Sequence, residues 1–345
     1  MTPAGRRPST LAVAVALGTV YVVWGSTYLA IAYVVESMPP LLAAGARFLL
    51  AGAMLTTFLV ARERWRRRRG MATEGLPWPS AIQWRTAFII GALLLLGGNG
   101  MVMIAEQTIP SSIAAVMIAM TPLWLSLFDA LLTRRMPSRL AIGGLLVGLA
   151  GVGILLMPST GVDAFDPLGI GILVLAEVCW ASGSLYARRG PLPRSHLLGT
   201  GMEQLAGGLV LVAVGASIGE IGRFDPGSVT TASLLGFAFL VIFGSLAAFT
   251  AYVWLLNHVA VTTVATYAYV NPVVAVALGV AFRGETLSPR SLLATALIIG
   301  AVVAMVSGRP REAEDSSSSP DVAKLDPGAE PRWTAPKRPD GGRPA

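Results

Sequence analysis

The chain has 345 residues, of which 54% are hydrophobic and 13% charged, and its mean hydropathy is +0.66. That composition leaves too little polar surface for a water-soluble globule, so the solvent is lipid. The net charge of +7 needs no nucleic acid to explain it, and one cysteine, Cys179, excludes an intramolecular disulfide.

Residues 1–10 read as a short cytoplasmic N-terminus. Ten apolar stretches of about 20 residues follow, at 11–35, 39–61, 86–106, 110–132, 140–157, 168–187, 196–219, 231–256, 262–282 and 290–307. The first runs well past a signal-peptide core and ends without a small-residue cleavage site, so it reads as a membrane helix. Connections are short, the longest being 62–85, and leave no room for a soluble catalytic domain. From Gly308 to Ala345 the character changes to serines, prolines and alternating charge, a composition that predicts a disordered tail.

Basic residues resist translocation, so their placement sets orientation. With both termini inside, the inner segments hold Arg6, Arg7, Arg62, Arg64, Arg66 to Arg69, Arg85, Arg134, Arg135, Arg139, Arg188, Arg189, Arg194, Arg309 and Arg311, which is 17 arginines. The outer loops hold 3: Arg223, Arg283 and Arg290. The run from Arg62 to Arg69 reads as a topology determinant that also suits contact with anionic lipid.

Small residues in the fifth and tenth stretches (Gly143, Gly144, Gly148, Gly151 to Gly153, Ala294, Gly300, Ala301) let backbones approach. They predict a peripheral scaffold or a homodimer seam. Function is sought instead among polar groups at depth, because a charge at the bilayer centre costs about 2.5–3.5 kcal/mol on insertion scales. Arg47, Glu177, Glu203 and, near a helix end, Glu106 qualify; for Glu106, beside Gln107 and Pro110, interfacial solvation is the simpler reading. Helical rise puts Arg47 about 12 Å below one boundary. Glu203 lies at a similar depth from the other, so the two are expected to pair or to share a solute near the midplane. The Arg47 fork also suits a carboxylate or phosphate. Glu177 and Glu203 are the proton-coupling candidates, with a fixed structural role as the alternative for each. Trp24, Asn99, Trp180, Tyr252, Tyr267 and Asn271 supply flat walls and amide groups for a cavity that suits an amphipathic small molecule, although Trp and Tyr also anchor at interfaces.

The two halves echo each other. Ala114 to Pro122 and Val264 to Pro272 align at a spacing of 150 residues, and Trp24-Gly25-Ser26 aligns with Trp180-Ala181-Ser182 at 156. Arg47 to Gly52 likewise aligns with Glu203 to Gly208. With an odd number of helices per half, the second copy enters the membrane from the opposite side. The predicted fold class is therefore an all-α membrane protein with ten transmembrane helices in two inverted five-helix repeats, over 11–157 and 168–307.

Trp24 to Tyr28, Glu36 to Pro40, Arg47 to Gly52, Gly98-Asn99-Gly100, Tyr267 to Pro272 and Gly284 to Ser288 together resemble the EamA type of the drug/metabolite transporter superfamily. That resemblance implies two repeats, a bacterial inner-membrane location and export of metabolites or drugs. It also implies a cavity lined by helices other than the fifth and tenth, with Trp24, Ser26, Arg47, Asn99, Tyr267 and Asn271 as cavity or gate residues. One departure is Arg134-Arg135-Met136, where the second half has Arg283-Gly284-Glu285.

No phosphate-binding GxxxxGK[ST] loop, HExxH or cysteine cluster occurs. The reading is a secondary carrier, with no cofactor, metal or catalytic residue expected; a passive channel or membrane sensor is the alternative, and an intramembrane enzyme the remoter one.

Overall fold

The computed structural model describes residues 9–71, 78–134, 139–157, 165–187, 189–193, 195–256, 258–259 and 267–307. The predicted tail, most of the N-terminus and the inner-loop residues Arg135, Arg188 and Arg194 lie outside them. Among the described residues every regular element is helical. The main helices are α1 (Thr10–Val34), α2 (Pro40–Arg68), α3 (Ala81–Ala105), α4 (Ser111–Thr133), α5 (Arg139–Leu156), α6 (Pro167–Ala187) and α7 (His196–Ser217). They continue with α8 (Thr231–Phe239, through Leu240–Ala247 and Ala248–Leu256), α9 (Tyr267–Arg283) and α10 (Pro289–Ser307).

Among the described residues, 7 helices, α1 to α4 and α6 to α8, are long and apolar enough to cross a membrane. Shorter apolar segments, Ile142–Leu155, Val270–Arg283 and Pro289–Ala301, lie in α5, α9 and α10. Large apolar side chains such as Phe58, Leu131, Leu209, Leu235 and Phe282 face outward. Water would penalise that surface and hydrocarbon solvates it.

Helix starts follow local chemistry. Ser9, Ser195 and Thr230 each accept a backbone N–H of the first turn of α1, α7 and α8, and Ser80 forms a reciprocal capping box with Gln83 at α3. The box starts α3 at Ala81, before the predicted residue 86, and α2 runs on to Arg68 because a helix need not stop where the hydrocarbon does.

Helices α2 and α4 begin after Pro39 and Pro110, which offer no side-chain cap. Their exposed amides are satisfied from elsewhere. Glu220, after α7, accepts from Leu41 N–H (3.2 Å) and Leu42 N–H (2.8 Å). Glu285, after α9, accepts from Ser111 N–H (3.0 Å), the Ser111 hydroxyl (2.7 Å) and Ser112 N–H (3.0 Å). At the same end of the bundle Arg290 donates to the carbonyls of Ile154 (2.7 Å) and Leu155 (2.8 Å), closing the C-terminus of α5.

The tightest crossings depend on glycine. Helices α2 and α7 run antiparallel, with Gly45 against Gly208 and Val212, and Gly52 against Gly201 and Leu205. A side chain started at Gly91 of α3 would meet Gly207 N at 2.6 Å. In the fifth and tenth helices only part of the expected packing is present. Gly151 sits on Ile298 and Ala294, and Gly148 on Met120 and Leu123 of α4, but Gly143, Gly153 and Gly300 have nothing within 4 Å of the position a Cβ would take.

Four helices are irregular within their length. Helix α3 widens into i→i+5 turns over Ala92–Gly100 and α8 over Leu240–Ala247. Helix α4 breaks between Ile118 and Thr121, just before Pro122, and Pro272 lies inside α9.

Candidate functional site

Arg47 is buried two turns into α2, at 5% exposure. Its Nε donates to the Ser245 hydroxyl at 2.9 Å, and its guanidinium stacks 4.7 Å from the Phe48 ring centre. Nη1 is buried and has no partner among the described residues. Gly244 makes room for it, since a Cβ there would lie 3.2 Å from Arg47 Nη2. Gln204 of α7 reaches the same turn, donating from Nε2 to the Ser245 carbonyl (3.4 Å), while its Oε1 is buried and unpartnered. Both orphan groups therefore converge on the wide turns of α8. Wide turns of this kind recur at functional positions.

Next to this polar cluster stand the aromatic residues. Trp24 Nε1 donates to the Gly244 carbonyl (3.3 Å), and its ring lies 5.0 Å from Tyr252 and 5.1 Å, edge-on, from Tyr267. Asn271 turns its amide nitrogen to the carbonyls of Tyr21 and Tyr267, at 3.2 and 3.3 Å. Thus Trp24, Arg47, Tyr252, Tyr267 and Asn271 share one neighbourhood. The Ser26 hydroxyl is spent on the Val22 carbonyl of its own helix, so nothing ties it to this group.

Asn99 and Trp180 form a second neighbourhood. Trp180 lies over Gly98, and Cys179 over Gly97, on the wide turns of α3. Among the described residues Asn99 makes only a long 3.5 Å contact to the Leu94 carbonyl, leaving its amide largely uncommitted. Glu177, one turn earlier on α6, is 1% exposed; Oε1 meets the Thr121 hydroxyl at 3.0 Å, where α4 breaks, and Oε2 has no partner among the described residues.

The expected meeting of Arg47 and Glu203 is not made directly. Among the described residues no ion pair joins them: Arg47 binds Ser245 of α8, whereas Glu203 stands where α7 crosses α3 at Gly91. Equal depth in two helices does not place side chains on the same face. Glu106 also departs from expectation, being 7% exposed with both carboxyl oxygens buried and unpartnered rather than solvated.

Sequence reasoning missed Ser245, Gly244, Gln204 and Thr121. Gln204 stood beside Glu203 in a segment already singled out, whereas the wide turns that present Gly244 and Ser245 leave no residue pattern.

A family model described as EamA-like transporter family matches the chain twice, over residues 11–157 and 167–307. The chain belongs to the EamA-like transporter family. It is thus a member of the drug/metabolite transporter superfamily, and a multi-pass protein of the inner membrane. It is 39% identical over 85% of its length, and 90% of the relative's, to a protein of Escherichia coli named uncharacterized inner membrane transporter YedA. It is 28% identical to Protein PecM of Dickeya dadantii, covering 81% of this chain and 88% of that one. To Protein PagO of Salmonella typhimurium it is 26% identical, covering 82% and 90%. One solved crystal structure shares the fold with a TM-score of 0.53 at 22% identity, over 86% of this chain and 96% of its own. Family and relatives identify a membrane transporter rather than an enzyme.

Proposed function

We propose that this EamA-family protein is a secondary carrier that exports a small organic solute from the cytoplasm by alternating access. The observation that carries the reading is Arg47: a buried guanidinium with a free Nη1, held by Ser245 and set beside the unpartnered Gln204 Oε1 and the Trp24–Tyr252–Tyr267 wall. A permanent charge left short of acceptors is costly, and a solute carboxylate, phosphate or carbonyl offsets that cost. The aromatic wall suits a flat or apolar remainder. Asn99 and Trp180 extend the path along α3 and α6, and Ser26 stays an approach residue on α1.

The reading includes ten membrane crossings in two inverted repeats. Its supports are the double family match, the antiparallel α2–α7 crossing and the α5–α10 pairing, each of which joins helices of equal rank in the two halves. The arginine bias of 17 against 3 favours both termini in the cytoplasm. Gly143, Gly153 and Gly300 leave an open small-residue strip that suits lipid or a second copy in a homodimer. Protons are the proposed coupling ion, with Glu177 or Glu203 as the carrier of the charge. The half-satisfied carboxyl of Glu177 at the α4 break supports the first.

Profiling the medium of cells that overproduce the protein tests this directly. A solute exported by the parent and lost in both Arg47→Ala and Glu203→Gln supports the site. Export that neither replacement alters removes it. Saturable flux in vesicles, accelerated by an imposed pH gradient, separates a carrier from a passive channel.

A further inference from the structure

At the end of the bundle where α3 meets α4 and α9 meets α10, four charged side chains gather. Arg283 pairs with Glu36 and lies 3.9 Å from the Glu285 carboxylate, which in turn holds the first amides of α4. Glu285 reaches α4 only because Gly279 stands beneath it: a Cβ there would lie 2.5 Å from Glu285 Oε2. Glu220 reaches α2 over Gly215 in the same manner, with 2.9 Å to the corresponding position. The two caps differ in their company. Glu220 is buried at 3% exposure and makes no ion pair among the described residues, whereas Glu285 shares its arginine with Glu36.

Near this cluster lies Glu106, just beyond α3, buried with no hydrogen bond at either oxygen among the described residues. The titratable and charged groups within electrostatic reach of it are Arg283 at the end of α9, Glu285 on the following turn and Tyr28 on α1, with Glu36 one step away through Arg283. Two carboxylates on one guanidinium, with a third carboxyl in electrostatic reach and no partner of its own, leave room for a proton.

We propose that Glu106 is a proton-binding site that sets the state of a latch, the Glu285 carboxylate closed on the N-terminus of α4. With Glu106 neutral, Arg283 serves Glu36 and Glu285, and the latch is shut. When Glu106 gives its proton to water, a second negative charge faces Glu285 and competes for Arg283, so the carboxylate leaves the helix end. Burial raises the Glu106 carboxyl from its ordinary range, the Glu285 carboxylate adds to the rise and Arg283 opposes it. The proposal rests on the carrier reading for its use as a gate, but its test needs no solute.

The Ser112 hydroxyl is fully buried and unpartnered behind the latch, so Ser112→Cys, with Cys179→Ala removing the native thiol, reports on opening. Labelling by a membrane-impermeant maleimide is measured from pH 5.5 to 8.5, a span of about three units, in both right-side-out and inside-out vesicles. Rates are taken relative to an exposed Ser228→Cys control, which cancels thiol ionisation. The expected relative rate rises about tenfold with pH. It is flat and low in Glu106→Gln, flat and high in Glu285→Gln and Gly279→Ala, and still pH-dependent in Glu106→Asp. A parent rate without pH dependence, or a dependence that survives Glu106→Gln, overturns the proposal. A Ser228→Cys control that labels only from the inner face overturns the orientation instead. Intact pH-gated labelling without export of any solute overturns the carrier reading alone.

Discussion

Among the described residues Arg47 has a single side-chain acceptor, the Ser245 hydroxyl 2.9 Å from Nε. Ser245→Ala removes that acceptor from a buried cation, so the expected loss is about 1–3 kcal/mol, read as a lower thermal midpoint in detergent. Arg47→Lys is expected to keep the charge but lose the solute, because a point charge cannot hold Ser245 and a ligand in one plane. Its check is a stability near that of the parent with export abolished. Residues of this kind were only half legible. A buried charge is visible in any apolar stretch, so Arg47 and Glu177 stood out, but the partner that fixes each was not. Thr121 and Ser245 look like ordinary small polar residues of a membrane helix. Arg134 carries a different lesson. It closes α4 with φ 53°, and Gly284, 150 residues on, follows α9 with φ 62°. The echo therefore extends to backbone shape, one position off the register that sets Arg134 against Arg283, with an arginine where glycine is at ease. Arg134→Gly is expected to stabilise the protein by about 1 kcal/mol, measurable as a raised thermal midpoint.

Among elements, the glycine crossings of α7 with α2 and α3 hold the interior together. Gly91 and Gly207 meet backbone to backbone, and a side chain at Gly207 would lie 2.7 Å from Leu95. Gly207→Leu is expected to destabilise by about 1–3 kcal/mol and to lower the yield of folded protein, checked by size-exclusion chromatography and thermal unfolding. The sequence pointed to the fifth and tenth helices for such packing, because their glycines are dense. Density proved a weaker guide than position: Gly52, Gly207 and Gly208 were visible as markers of the repeat, and that echo coincides with the crossing. The caps of α2 and α4 were not legible at all. Glu220 lies 179 residues from Leu41, so no local motif links them, and the prolines that open both helices show only that a cap must come from elsewhere. Glu220→Ala is expected to cost about 1–2 kcal/mol, while Glu285→Ala changes latch opening more than stability.

For the whole molecule, membrane class and family were readable at once, because hydrocarbon imposes its demands on composition and length. Of the candidate site, the residue types were legible and their grouping only in part. Trp24, Arg47, Tyr252, Tyr267 and Asn271 come together, whereas Asn99, Trp180 and Glu177 lie along a neighbouring pair of helices and Glu203 at a separate crossing. The breaks and wide turns within α3, α4, α8 and α9 concentrate around these groups, which suits the repacking that the proposed alternation of access requires. The most direct measurement is the accessibility of Ser245→Cys, in a Cys179→Ala background, to an impermeant thiol reagent from each face of oriented vesicles. The account predicts labelling from both faces, with protection on both by the exported solute; labelling confined to one face, or protection on neither, contradicts it.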